Sequence, residues 1–151
     1  MNTGRVRLRP ATPADADALA QGIVDGVAGD AHVAPAGWAP PSLGDEVAYM
    51  RAALAEAGDE VVGQVGIVPA ARAPHPVQDP GLAHMRNLFK RRDLWGSGLA
   101  RRLHHAALRE ATARGCAAVR LVVAAGQARA RRFSEREGWT AVGPPFRDPV
   151  P

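Results

Sequence analysis

The most informative segment of the chain is Leu88-Phe89-Lys90-Arg91-Arg92-Asp93-Leu94-Trp95-Gly96-Ser97-Gly98-Leu99-Ala100. It predicts the end of a buried strand, a short basic turn, a glycine loop and the first turn of a helix. Apolar residues then recur at helical spacing, at Leu99, Leu103, Ala106, Ala107 and Ala111. A glycine loop between a strand and a helix favours an anion, because free backbone N–H groups point outward and no Cβ blocks the approach. The alternative is a tight turn that needs glycine for its shape alone.

Two familiar phosphate loops do not fit this stretch. The Walker loop ends in Gly-Lys-Ser/Thr, a sequence that is absent from this chain. The dinucleotide fingerprint follows the first strand of its unit and has an acidic residue about 20 residues later. Here the loop lies past the middle of the chain, and the next predicted strand, Val119–Val123, is followed by Ala-Ala-Gly-Gln.

A second motif follows that strand, at Gln127-Ala-Arg-Ala-Arg-Arg-Phe133-Ser134-Glu-Arg-Glu-Gly138-Trp139. Together the two segments resemble the coenzyme A-binding motifs of the GNAT N-acetyltransferase superfamily. The loop resembles the pattern R/Q-x-x-G-x-G/A, with three residues in register: Gly96, Gly98 and Ala100. The second segment resembles N-x-x-A-x-x-F-Y-E-x-x-G-F, and the matching residues are Ala130, Phe133, Glu135 and Gly138, with Trp139 in place of the last Phe.

The resemblance covers nearly the whole chain. Val6–Asp15 resembles the family's first strand and helix cap, and Glu60–Gly66 resembles its third strand. It implies one domain over residues 1–151 with an α/β (α+β) GNAT fold. That fold has a mixed, mostly antiparallel sheet of six to seven strands, about four helices, and a cofactor cleft between the fourth and fifth strands. The sequence stops at Pro151, where the family usually continues into a seventh strand. Three alternatives are open: this strand is missing, a partner supplies it, or the sheet ends early.

The residue pattern predicts where the elements lie. The predicted strands are Val6–Arg9, Glu60–Val68, Leu82–Lys90, Val119–Val123 and Trp139–Val142. In the family's numbering these are strands one, three, four, five and six. Two early helices are predicted, one from Thr12 or Asp15 to about Asp25 and one from Ser42 through about Leu54. Two loops are predicted, at Gly26–Pro41 and at the Pro-rich segment Pro69–Pro80. The second loop is expected to cover the substrate site.

The resemblance implies acetyl-CoA as co-substrate and assigns residues to it. The pantetheine and the thioester carbonyl would meet the backbone of Leu88, Phe89 and Lys90. The pyrophosphate would meet the loop formed by Trp95, Gly96, Ser97, Gly98, Leu99 and Ala100. The second motif would add Gln127, Ala130 and Phe133. Two positions depart from the family: Trp95 stands where Arg or Gln is usual, and Gln127 replaces Asn.

His84 is the first candidate for the base that deprotonates the acceptor amine. It lies four residues before the pantetheine-binding trio, where several GNAT branches place a carboxylate, and imidazole titrates near neutrality. Its alternative interpretation is a strand histidine held by a neighbour. His75, His32 and direct loss of the proton to water are the other routes. His104 and His105 are interpreted as residues of a helix surface.

Ser134 stands where the family has the Tyr that protonates the leaving thiolate. A thiol has a pKa of about 8.5, so a thiolate leaves readily even without a strong acid. Ser134 could hold a water that supplies the proton, or it could only pack at the start of a helix.

Composition bounds the remaining possibilities. The chain is 46% apolar with a formal charge of +4, and no apolar run approaches a membrane span. A basic surface can bind nucleic acid, but aromatic residues are only 5% and the arginines cluster near the two motifs. The chain has a single cysteine, Cys116, which fits a reducing cytoplasm and is interpreted as a small core residue. The sequence contains no Cys/His spacing for zinc. Trp38 and Trp95 could line the cleft, Trp139 is a core candidate, and a homodimer is an open possibility.

The resemblance therefore implies an N-acetyltransferase that acts by direct attack of an amine on acetyl-CoA. Together with the composition, we expect a cytoplasmic enzyme with a small-molecule acceptor and with no nucleic acid, membrane or metal. The alternatives are acetylation of protein N-termini or lysines, and a catalytically weak acyl-CoA-binding regulatory module.

Overall fold

The computed structural model describes residues 6–29, 51–69 and 81–145, which form a mixed sheet with helices on both faces. The strands are β1 (Val6–Pro10), β2 (Arg51–Ala57), β3 (Glu60–Pro69), β4 (Leu82–Lys90) and β5 (Ala118–Arg120). The helices are α1 (Ala16–Gly29), α2 (Leu99–Ala113) and α3 (Ala128–Arg136), with 3-10 turns at Pro13–Asp15 and Arg92–Leu94. Within these ranges the strand order is β1-β2-β3-β4-β5, antiparallel except for the parallel β4–β5 pair. The prediction of a mixed, mostly antiparallel sheet is confirmed.

Helix α2 covers one face of the sheet. Its buried residues recur along one stripe, at Leu99, Leu103, Ala107 and Ala111, and they share a core with Val65 and Ile67 of β3 and Met85 of β4. The predicted apolar stripe is confirmed at these four positions, while Ala106, which was also predicted, is only partly buried. Because β4 and β5 are parallel, the chain needs a crossover between them, and α2 provides it.

Helix α1 covers the opposite face. Leu19 and Ile23 are buried, and the buried Gln64 of β3 donates from Nε2 to the carbonyl of Leu19 at 3.3 Å. Gly22 permits this contact, since a Cβ there would lie 2.1 Å from Oε1 of Gln64. Within the described ranges, no helix has the length and the apolar character needed to cross a bilayer.

The predicted helix from Ser42 through Leu54 is wrong at its end. Residues 51–57 form β2, which pairs with β1 and β3, and Ala55 within it is fully buried. The local sequence Arg-Ala-Ala-Leu-Ala-Glu-Ala favours a helix. Pairing on both sides overrides that preference, because a central strand gains two ladders of hydrogen bonds. Residues 42–50 lie outside the described residues.

Other boundaries also differ. Helix α1 continues to Gly29, past the predicted end at Asp25, and β5 ends at Arg120 rather than Val123. Residues 139–145 are described and contain no strand, so the predicted sixth strand from Trp139 is wrong there. Cys116 and Trp139 are partly buried and pack against the core, as predicted. His32, Trp38 and His75 lie outside the described residues.

Candidate active site

The strands β4 and β5 separate soon after they meet. Their pairing covers Leu82, Ala83 and His84, which face Ala118, Val119 and Arg120. On its other edge β4 stays paired with β3 as far as Lys90. Beyond His84, β4 therefore presents an edge without a β5 partner in the described part of the chain. This opening is the cleft that the family resemblance implies between the fourth and fifth strands.

A β-bulge lies in β4 beside the cleft. Gly66 pairs with Arg86 and Gln64 with Phe89, so two β4 residues, 87 and 88, oppose the single residue Val65. The extra residue reverses the alternation of side chains. Leu88 therefore joins Met85 at the core under α2. The bulge turns the backbone of the predicted pantetheine-binding trio, Leu88–Lys90, relative to the first half of the strand.

The glycine loop follows β4 as a tight, hydrogen-bonded turn. The hydroxyl and the backbone N–H of Ser97 both donate to the carbonyl of Leu94, and the N–H of Leu99 donates to the Ser97 hydroxyl at 3.3 Å. Gly96 and Gly98 both have φ of +82°, a left-handed conformation that favours glycine. A Cβ at either glycine would meet no atom within 4 Å, so the outer surface of the loop is open.

This open surface carries backbone donors. Among the described residues, the N–H groups of Gly96, Gly98 and Ala100 have no hydrogen-bond acceptor. They lie at the N-terminus of α2, where the helix dipole adds positive potential. The side chain of Leu99 is fully buried in the core, which anchors the helix start. The arrangement provides what a phosphate group needs.

Trp95 joins the two sequence motifs. The guanidinium of Arg129, in the first turn of α3, lies 3.7 Å from the centroid of the Trp95 ring, and that of Arg92 lies 5.3 Å from it. Trp95 is 44% exposed, so its ring is at the surface. The residue that replaces the family's Arg or Gln thus holds an arginine from the second motif over the loop.

Lys90 adds to this positive region. Its ammonium donates to the carbonyl of Leu94 at 3.2 Å. Partial burial lowers the pKa of Lys90, and the charge of Arg129 lowers it further. Lys90 and Arg129 are therefore close enough to repel each other. Such a pair of cations at the end of β4 favours the binding of an anion.

The other residues of the second motif lie on or just before α3. Gln127 precedes the helix, and its carbonyl accepts the N–H of Arg131 at 3.0 Å. Ser134 is half-buried and donates its hydroxyl to the carbonyl of Ala130 at 3.0 Å. In this rotamer the Ser134 hydrogen is used by the helix, while its oxygen keeps lone pairs that can accept a hydrogen bond from water.

His84 lies at the closed end of the cleft. Its side chain points away from the face that Ala83 and Met85 share with α2, because side chains alternate along a strand. It is buried, and its Nδ1 accepts a hydrogen bond from Nε of Arg120 at 3.2 Å. A neutral imidazole that accepts at Nδ1 carries its hydrogen on Nε2.

His104 was predicted to be a surface residue, and this prediction is wrong. His104 is 1% exposed, and the indole N–H of Trp139 donates to its Nε2 at 2.8 Å. His104 lies three residues before Ala107 and seven before Ala111, which places it on the buried stripe of α2. That spacing was the signal available in the sequence. His105 is 46% exposed, as predicted.

Glu137 lies between α3 and Trp139 and faces α2. Its Oε2 is 3.3 Å from Nε of Arg101, 3.3 Å from Nε2 of His105 and 3.8 Å from Nδ1 of His104. Two histidines and a carboxylate at this spacing can in general hold a metal ion. The bond from Trp139 opposes that use, because it keeps the hydrogen of His104 on Nδ1, the atom that would have to bind the ion.

Solved structures resemble this fold closely. A transcriptional regulator from Bacillus halodurans C-125 is 21% identical, with 94% of this chain and 97% of that chain covered and a TM-score of 0.70. An aminoglycoside acetyltransferase from an uncultured soil metagenomic sample, in complex with sisomicin, is 16% identical, with coverage of 95% and 93% and a TM-score of 0.72. A predicted acetyltransferase with acetyl-CoA from Clostridium acetobutylicum is 15% identical, with coverage of 94% of both chains and a TM-score of 0.73.

These structural similarities support the fold of this chain. The activities named for the three proteins belong to those proteins. No curated protein matches the sequence. The family model described as Acetyltransferase (GNAT) family matches residues 32–139, which is more than two thirds of the chain and includes both motifs. With the β4–β5 cleft and the glycine loop in place, the conclusion is that this chain belongs to the GNAT acetyltransferase family.

Proposed function

We propose that this protein transfers the acetyl group of acetyl-CoA to a primary amine of a small molecule. The observation that carries the proposal is the contact between the two motifs, with Arg129 stacked on Trp95 above a glycine loop whose N–H groups are open. The loop would bind the pyrophosphate, and Leu88–Lys90 would bind the pantetheine along the free edge of β4.

The chemistry required of the chain is limited. The amine attacks the thioester carbon, the carbon–sulfur bond breaks, the thiolate gains a proton, and the amine loses one. Backbone N–H groups of Leu88–Lys90 that face the cleft would polarise the thioester carbonyl, as oxyanion donors do. His84 is the proposed acceptor of the amine proton, and a water held by the Ser134 oxygen is the proposed donor to the thiolate.

A structural neighbour supports the proposed acceptor class. The similar soil-metagenome enzyme is an aminoglycoside acetyltransferase in complex with sisomicin, a small molecule. Acetylation of proteins remains the alternative within the enzyme class. A regulatory module that binds acyl-CoA is the alternative outside it, and the similar transcriptional regulator from Bacillus halodurans favours testing it. Turnover with a panel of small amines and peptides separates the three.

We also propose a cytoplasmic location and a homodimer. A cytoplasmic location is supported by the presence of one cysteine in 151 residues. A homodimer remains a prediction from the sequence, and the mass of the protein in solution tests it.

The first test replaces Gly98 with valine. The side chain would cover the open N–H groups, and we expect affinity for CoA, measured by calorimetry, to fall at least about tenfold. The matched control is Gly115→Val at the other end of α2, where φ is +76° and the Cβ space is equally open. It imposes similar backbone strain and should leave CoA affinity within about twofold. Equal effects of the two variants would contradict a phosphate site at the loop.

The second test replaces Arg129 with glutamine. Loss of the stacked guanidinium should lower CoA affinity about tenfold at low salt, the equivalent of about 1.4 kcal/mol. The affinity of the variant should also depend less on salt, because one cation no longer faces the phosphates. Arg131→Gln, at an exposed position on the same helix, is the control and should bind as the wild type does. Identical salt dependence in all three proteins would refute this role for Arg129.

The third test concerns His84. If it accepts the amine proton, His84→Ala should lower turnover by about 10²-fold or more with little change in CoA affinity. In the observed arrangement Nδ1 is occupied by Arg120, so this role requires Arg120 to release the ring. Wild-type turnover in the variant would instead make His84 a structural residue that holds β4 to β5.

The fourth test concerns Ser134. If protonation of the thiolate limits the rate, Ser134→Tyr should raise turnover severalfold, toward the roughly 10²-fold that a general acid contributes, and Ser134→Ala should lower it modestly. If the space beside Ser134 instead holds a bulky acceptor, Ser134→Tyr should lower turnover. Two variants with wild-type rates would place the residue outside the chemistry.

A further inference from the structure

His104 is the centre of a buried contact between α2 and α3. The indole of Trp139 donates to its Nε2 at 2.8 Å, and the Phe133 ring packs edge-on against it with centroids 5.8 Å apart. His104 thus touches residues on both sides of Ser134. A second contact, between Arg129 and Trp95, joins the start of α3 to the glycine loop. The buried histidine therefore supports the helix that carries the second cofactor motif.

The hydrogen bond from Trp139 fixes which atom of His104 carries the proton. An indole N–H can only donate, so Nε2 must be unprotonated and the hydrogen lies on Nδ1. Nδ1 is fully buried and has no hydrogen-bond partner among the residues that the structure describes. The Glu137 carboxylate lies 3.8 Å from it, beyond hydrogen-bond distance. The neutral ring therefore has one strong partner, Trp139, and one unused donor that faces a carboxylate.

A second proton would reverse this arrangement. It would occupy Nε2 and place two donors, Nε2–H and the indole N–H, against each other at the position of the present hydrogen bond. It would also give the ring a positive charge beside the Glu137 carboxylate. Protonation therefore weakens the contact with Trp139 and strengthens the attraction to Glu137.

The charged and titratable groups described around His104 come from both elements. Arg101 and His105 lie on α2, and Glu137 lies beyond the end of α3. Burial lowers the pKa of His104 below its usual value, Glu137 partly opposes this, and His105 and Arg101 add to the lowering. Since the pKa is depressed in the folded state, the contribution of neutral His104 is complete above about pH 6.5 and is lost as the pH falls through the folded-state value.

We propose that His104 is a pH-sensitive positioning residue, whose neutral form docks α3 on α2 and whose protonation releases the second motif and weakens acetyl-CoA binding. Its effect on the ligand rests on the proposed function. His104 touches no reacting atom in this proposal, and it acts through Trp139 and Phe133.

The test follows CoA affinity by calorimetry from about pH 5 to about pH 8 in the wild type and in His104→Gln. Glutamine keeps an oxygen that can accept the Trp139 N–H but does not titrate. Phosphate monoesters titrate near pH 6, and this contribution is common to all variants. We expect wild-type affinity to fall at least about tenfold more than that of His104→Gln on acidification.

The matched control is His105→Gln. His105 is the neighbouring histidine, is half exposed and also faces Glu137. Its replacement therefore removes a second histidine beside Glu137 and leaves the bond between Trp139 and His104 in place. It should keep the wild-type pH profile. If His105→Gln removes the pH dependence and His104→Gln retains it, the proposal is overturned.

A readout without ligand separates this proposal from the proposed function. The indole N–H resonance of Trp139 in the free protein, assigned with Trp139→Phe, should shift and exchange faster with water on acidification in the wild type and stay constant in His104→Gln. A resonance that is constant in the wild type would overturn the proposal. Absence of CoA binding at neutral pH would overturn the proposed function and the effect on the ligand, while the indole titration would still decide whether His104 releases Trp139.

Discussion

The candidate site depends on how β4 is paired. It stays hydrogen-bonded to β3 along its length, but it meets β5 over only three residues. One edge of its second half is therefore available to a ligand, while the other edge holds the strand rigid. The bulge at residues 87 and 88 then turns the backbone within this free half. A cleft with one rigid, hydrogen-bonding wall follows from this pairing and needs no specialised side chain.

The glycine loop extends that wall. Because β4 and β5 are parallel, the chain must leave β4 by a helix, and α2 begins at the open end of the cleft. The N–H groups at the start of α2 and the ammonium of Lys90 therefore lie at the same end of the strand. Arg129 joins them from α3 through the ring of Trp95. Positive potential is thus concentrated at the end of the cleft, although the basic residues come from separate parts of the sequence.

The contact between α2 and α3 shows how packing and function share residues. His104 is buried for the same reason as Leu103 and Ala107, because it lies on the inner side of α2. An imidazole in that position needs a donor or an acceptor, and Trp139 supplies a donor. The arrangement leaves the buried Nδ1–H near Glu137 without a hydrogen-bond partner among the described residues, which is destabilising. A leucine at this position would pack without that cost, but it would not respond to pH.

Local structure in this protein could be predicted from the order of its residues. The glycine loop, most of the apolar stripe of α2 and the boundaries of β4 follow from short-range rules, since a turn or a helix depends on neighbours in the chain. The two motifs are recognised by their resemblance to a family pattern. Tertiary structure decided the rest. Residues 51–57 favour a helix locally and become a strand because β1 and β3 lie on either side. Likewise, the hydrogen bond on His104 exists because Trp139 reaches its Nε2 from beyond α3, and a guanidinium lies over Trp95 because Arg129 reaches it from a distant segment. Each of these outcomes depends on contacts between residues far apart in the sequence, and a local pattern does not contain that information.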